Sequence, residues 1–141
     1  MPPKHDQAYL SQLYAVIKQI EQPDSAIHYA QKALQVAQQL NDQEYAARLH
    51  YLMGENYDDQ RIPKMALAQY QKAIQLAKAT HQYDLLHRLY IHYAYISRQI
   101  GDTQSDLEYL LKANAQADSL QNEKMQLEVS FALGDYFPAC H

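Results

Sequence analysis

The sequence predicts an all-α protein built from stacked helix pairs, and three observations predict it. Only 3 Gly and 5 Pro stand among 141 residues, too few turn formers for a sheet-rich fold. Apolar residues recur at three- and four-residue steps over long stretches, the spacing of one helix face. The chain also repeats itself at an offset of 40 residues: Ala26-Ile27-His28-Tyr29-Ala30-Gln31-Lys32-Ala33-Leu34 aligns with Ala66-Leu67-Ala68-Gln69-Tyr70-Gln71-Lys72-Ala73-Ile74. The same shift carries Pro23 to Pro63, Lys72-Ala73 to Lys112-Ala113, and Gly54 through Ala94 to Gly134. Such a period marks an array of supersecondary units, each too small to bury its apolar face alone.

The elements follow in order. Leu10, Leu13, Tyr14 and Ile17 predict a helix over roughly 6–20. Pro23 fits the first turn of the next, over 24–40, where its missing N–H costs nothing. Asp42 can cap a third helix over 43–60, striped by Leu49, Leu52, Met53, Asn56 and Tyr57. Pro63 opens a fourth over 64–80, with Ala66, Leu67, Tyr70, Ala73, Ile74 and Ala77 on one face. Tyr90, Tyr93, Ala94 and Ser97 mark a fifth over 83–99. Gly101 can take a positive φ and Asp102 can cap a sixth helix over 103–120. A seventh, over 123–137, keeps an apolar face with Leu127, Phe131 and Leu133. The expected repeats are 3–42, 43–82 and 83–122, with a partial repeat or capping helix at 123–141, all within a single domain 1–141.

These residues resemble the tetratricopeptide repeat family, whose pattern is W-x2-L-G-x2-Y followed by A-x3-F and a terminal Pro. The second repeat matches with Met53-Gly54, Tyr57, Ala66 and Tyr70, with His50 at the Trp position. The third is a poorer fit, with Asp106 and Leu110 in the second helix, and the fourth returns Leu133-Gly134 and Phe137. Tyr14 stands where a small residue is expected, and no Pro stands at Gln38, Lys78 or Asp118. The resemblance spans about residues 6–137 and is nearest to the 40-residue type found in bacterial signalling and regulatory arrays. It implies a right-handed α-solenoid of about three and a half repeats and roughly seven helices. It also implies a concave groove lined by the first helix of each pair.

Carried onto this chain, the groove positions are Arg48, Tyr51, Leu52, Glu55 and Asp58 in the second repeat, and Arg88, Ile91, His92, Tyr95 and Arg98 in the third. Phe131 and Asp135 belong to the fourth, and Gln12, Ala15 and Lys18 to the first. Arg and Tyr are frequent anchors of binding surfaces. A peptide with a carboxylate and one or two apolar side chains suits this mixture. The Lys and Asn clamp of the family's chaperone-tail subclass is not matched, since Ser11, Ala15 and Glu55 occupy its key places and only Arg88 and His92 remain.

Composition narrows the chemistry. The net charge is −4 and the isoelectric point about 5.9, which argues against a dedicated nucleic-acid binder. No run of 18 or more apolar residues is present, so no spanning helix is expected, and the Met-Pro-Pro-Lys start lacks the apolar stretch of a secretory signal. A cytoplasmic location is the expectation. Seven His residues include no zinc-hydrolase spacing, and His87 and His92, five apart, point to different helix faces. Cys140 has only His141 beside it, and Asp58-Asp59 point apart on a helix. No metal, no cofactor and no catalytic residue is expected. The expected function is a protein- or peptide-binding scaffold, with self-association through the exposed terminal helix as a further expectation. The alternative is a sensory or regulatory segment of a larger bacterial signalling protein or of a peptide-sensing transcription regulator.

Overall fold

A computed structural model describes residues 6–134. The described residues form seven α-helices and no strand: α1 (Gln7–Lys18), α2 (Pro23–Gln39), α3 (Gln43–Asp59), α4 (Pro63–Ala79), α5 (Tyr83–Gln99), α6 (Thr103–Ser119) and α7 (Glu123–Leu133). Each expected helix is present, and ends agree to within two residues except at α7, expected to reach 137. Residues 135–141, with Asp135, Phe137 and Cys140, lie outside the described residues.

Caps anticipated from sequence are made. The Asp42 carboxylate accepts from the Tyr45 N–H at 3.1 Å, and Asp102 accepts from the Ser105 N–H at 3.0 Å. Hydrogen bonds from Ser105 hold the Asp102 carboxyl below its usual range. Asp6 and Asn122 cap α1 and α7 in the same way. Pro23 and Pro63 open α2 and α4, where the capping residues Gln22 and Ile62 make no side-chain cap.

The turns show a regularity finer than the 40-residue repeat. Residues with positive φ stand at Asn41, Arg61, His81, Gly101 and Gln121, one every half-repeat. Around each, two backbone bonds close the preceding helix, as in Asp42 N to Ala37 O at 2.8 Å and Asn41 N to Gln38 O at 3.1 Å. One left-handed residue therefore reverses the chain, and the following residue starts the next helix. The first junction differs: Gln19 and Ile20 bond to Val16 and Ile17 instead, and α1 stops at Lys18. Only one of the five left-handed positions is glycine. Gly101 is exposed with open space where a Cβ would lie, so the expected loss for Gly101→Ala, about 1 kcal/mol, is purely backbone strain. Urea unfolding of the two proteins checks this, and an unchanged midpoint would refute it.

The chain divides into two compact units, Met1–Tyr83 and Asp84–His141. In the N-terminal unit, Leu10 and Ile17 of α1, Ile27, Ala30, Ala33 and Ala37 of α2, and Leu49 and Met53 of α3 form one buried cluster. Small residues let the helices close: Ala30, Ala33, Ala66 and Ala73 are fully buried. In the C-terminal unit, the Tyr109 ring of α6 stacks on Tyr93 of α5 with centroids 4.0 Å apart. Lys112 sits 4.6 Å from the centre of the same ring. Met125 and Val129 are the buried residues of α7.

Candidate partner-binding surfaces

The residues expected to face a partner lie on first helices of the repeats, and each compact unit has its own set. In the N-terminal unit the set comes from α3. Arg48 is half-buried, its guanidinium 4.9 Å from the centre of the Tyr45 ring, a cation–π contact that fixes the side chain. Glu55 and Asp58 are half-buried. Tyr51 and Leu52 are buried, contrary to their expected place on an open face: Leu52 belongs to the core cluster, and the Tyr51 ring lies 5.8 Å from that of Tyr70 on α4. Gln12, Ala15 and Lys18 of α1 are exposed. A cleft of about 360 Å³ opens where the end of α1 meets α3, with Lys18, Glu21, Leu52, Glu55 and Asp59 in its wall. Its charge is mainly acidic.

In the C-terminal unit, Arg88, Ile91, His92 and Tyr95 stand at steps of three, one and three residues, so they form one stripe of α5. Arg88 is exposed, Ile91 and His92 are half-buried, and Tyr95 is 57 % exposed. A cleft of about 410 Å³ adjoins the stripe, between α5 and the start of α7, lined by Asp84, His87, Arg88, Lys124, Met125 and Glu128. Phe131 of α7 is 77 % exposed.

Arg98 has a different place. Its Nε donates to Oδ2 of Asp106 at 2.8 Å, and Asp106 is only 1 % exposed. The Arg98 charge thus serves the packing of α6 on α5, and any change there acts on the fold as well as on the surface.

Two histidine contacts were not anticipated. Buried His87 donates from Nε2 to Glu128 at 2.8 Å, joining α5 to α7. The signal was present in the register: these residues are 41 apart, one repeat plus one, which sets them on neighbouring first helices. His50, in the place of the family's Trp, is buried and donates from Nδ1 to Gln69 Oε1 at 2.7 Å. Burial pushes its pKa below the ordinary 6.5. A histidine depressed in the folded state contributes stability that is complete above the unfolded value and lost as pH falls through the folded one. Melting of the wild type is therefore expected to fall by a few degrees more between about pH 7 and about pH 5 than melting of His50→Gln. Parallel curves for the two proteins would refute this.

Among the described residues, no group of three or more His, Cys, Asp or Glu is placed to hold a metal ion. No helix among them is long and apolar enough to cross a membrane. Burial pushes the Tyr70 and Tyr90 hydroxyls above the ordinary phenol range, so neither is poised as an acid or base near neutrality.

No family model and no curated protein matches the sequence. Among solved structures, the chain is similar in fold to the crystal structure of aspartyl phosphate phosphatase F from Bacillus subtilis, with a TM-score of 0.76 and 20% identity. The match covers 94% of this chain and 40% of that one, so this chain spans less than half of that protein's length. The likeness shows an all-α helical-repeat fold of the solenoid class, in agreement with the period read from the sequence.

Proposed function

We propose that the protein is a scaffold that binds a protein or peptide through the first-helix faces of its repeats. The observation that carries the reading is the α5 stripe: a guanidinium at Arg88, apolar surface at Ile91, an imidazole at His92 and a 57 % exposed ring at Tyr95, beside a cleft of about 410 Å³. Arg and Tyr are enriched among the anchors of binding surfaces, and a partner carrying a carboxylate and an apolar side chain engages both ends of the stripe. The role proposed is binding rather than catalysis, with no cofactor, metal, nucleic acid or membrane as ligand. His50 and His87 support this, because both are committed to packing contacts. Release of phosphate from an aspartyl-phosphorylated protein by this chain would overturn the non-enzymatic reading.

The test is partner capture from the source cell by the wild type, by Arg88→Glu and by Tyr95→Ala, followed by titration of the captured partner. Each substitution lies on exposed surface, so the melting temperature is expected to move by less than about 2 °C while affinity falls about tenfold. A partner held equally well by all three proteins would exclude this surface.

A second reading is favoured by the fold comparison: a sensory or regulatory segment of a larger bacterial signalling protein. It rests on the likeness to aspartyl phosphate phosphatase F and on the 40% of that chain which this one spans. The genomic reading frame discriminates, since an output domain encoded next to these residues supports this reading and a stop codon directly after His141 supports a separate scaffold.

A further inference from the structure

In the N-terminal unit the last turns of α1 and α3 border one cleft, of about 360 Å³, and its rim carries charge of one sign. α3 closes on Asp58-Asp59 with no basic residue in its last turn, although the C-terminal end of a helix dipole is itself negative. Glu21 joins Asp59 in the wall of the cleft because the first junction runs differently from the others. α1 stops at Lys18, and Glu21, which stands in the register of left-handed Arg61, takes no positive φ. Among the described residues, neither Glu21 nor Asp59 is held in a hydrogen bond or ion pair. Lys18, the only cation in the described wall, is engaged elsewhere: its ammonium lies 5.5 Å from the centre of the Tyr14 ring.

Beneath the rim the cleft is apolar with one polar exception. Ile17 and Leu52 are buried in its lining, and Ile20 is half-buried beside them. The exception is Asn56, only 9 % exposed. Its Nδ2 donates to the Leu52 carbonyl one turn back at 2.8 Å, which leaves the amide oxygen as an acceptor with no donor among the described residues. An enclosed acceptor without a donor is costly, and a ligand that brings an N–H removes that cost.

We propose that this cleft seats an arginine side chain of a basic partner peptide, its methylene stem on Ile20 and Leu52 and its guanidinium donating to Glu21, Asp59 and the Asn56 oxygen. The three acceptors belong to three places: the first junction, the end of α3 and the lining of the cleft. A planar fork of five N–H donors addresses several directions at once, whereas a lysine ammonium is one strongly hydrated point charge. An arginine stem also covers apolar surface while its head stays at the rim. The inference rests on the reading of first-helix faces as binding surface and adds the chemistry of one contact. It lies in the other compact unit from the α5 stripe and calls for the opposite charge in the partner, so the two fail separately.

The probe is the acetylated and amidated tripeptide Ala-Arg-Ala, titrated at low salt into the isotope-labelled full chain. Amide resonances of residues 17–21 and 52–59 are expected to move, with a dissociation constant of about 1 mM. The same tripeptide with citrulline, which keeps the shape and removes the charge, is expected to bind about tenfold more weakly, and the lysine tripeptide about threefold. Glu21→Gln and Asp59→Asn change exposed side chains, and each is expected to weaken binding about fivefold with circular dichroism unchanged. Glu108→Gln removes the same charge from exposed surface of α6 and is expected to leave binding as it was. Tyr95→Ala on the α5 stripe is likewise expected to leave it unchanged, so loss of a captured partner with arginine binding retained would sink the stripe and spare the cleft. The cleft proposal is overturned by absence of shifts up to about 10 mM peptide, or by a citrulline tripeptide bound as well as the arginine one. It is equally overturned if Glu108→Gln weakens binding as much as Asp59→Asn, since the peptide would then be answering net charge alone.

Discussion

Gly54→Ala is expected to destabilise the protein by about 2 kcal/mol, although alanine is the better helix former by about 1 kcal/mol. The added Cβ falls on Cε1 and Cδ1 of Tyr70, inside any allowed contact distance. Tyr70 is fully buried, and its ring rests against that of Tyr51 at 5.8 Å, so it cannot swing aside without opening the interface of α3 and α4. The overpacking cost therefore exceeds the propensity gain. The third repeat supplies the compensation. Its corresponding pair is Ala94 and Leu110, both buried, so Gly54→Ala combined with Tyr70→Leu is expected to recover most of the loss. Thermal unfolding of the two single variants and the double variant tests this. If Gly54→Ala melts at or above the wild-type temperature, the close approach is not what selects glycine.

The second large effect is expected at Arg98. Arg98→Ala leaves the carboxylate of Asp106, 1 % exposed, without the guanidinium that donates to it at 2.8 Å. Removing one partner of a fully buried pair costs about 3–5 kcal/mol, and the 40 % exposure of the Arg98 side chain brings the expected loss down to about 2 kcal/mol. Removing both charges is the informative control. Asp106 stands at the register of Ala26 and Ala66, so Arg98→Ala with Asp106→Ala returns the third repeat to the residue type of the other two. The double variant is expected to be more stable than Arg98→Ala alone. A double variant no better than the single would show that Asp106 is held chiefly by other contacts.

These two residues also show how far the site was legible. The family resemblance, carried across the 40-residue offset, placed Arg98 on a first-helix face, and the mismatch of Asp106 with the repeat pattern was visible. That the two anomalies answer each other was not, because a period compares equivalent positions and is blind to pairs formed between unlike ones. Tyr51 and Leu52 were assigned to an open face by the same procedure and are buried. A helical stripe gives direction around an axis, whereas burial depends on what the neighbouring helix brings. Arg88, Ile91, His92 and Tyr95 share one stripe of α5 because their spacing alone determines it.

The sequence by itself determined the helical class, the repeat period, the first six helices of the described residues to within two residues at each end together with the start of the seventh, and the caps at Asp42 and Asp102. All of these are local or periodic: capping is a contact over three residues, proline acts on its own turn, and amphipathic spacing is read within one helix. Tertiary structure alone decided which side chain fills which gap: Tyr70 over Gly54, Asp106 beneath Arg98, His87 bonded to Glu128, and Phe131 exposed where Tyr51 is covered. It also disclosed the left-handed residue at each of the five helix junctions after the first, four of the five not glycine. The physical reason is common to these cases. Helices form from neighbours in sequence, but close packing conserves volume across an interface, and one side chain is small or charged only in relation to the other that meets it.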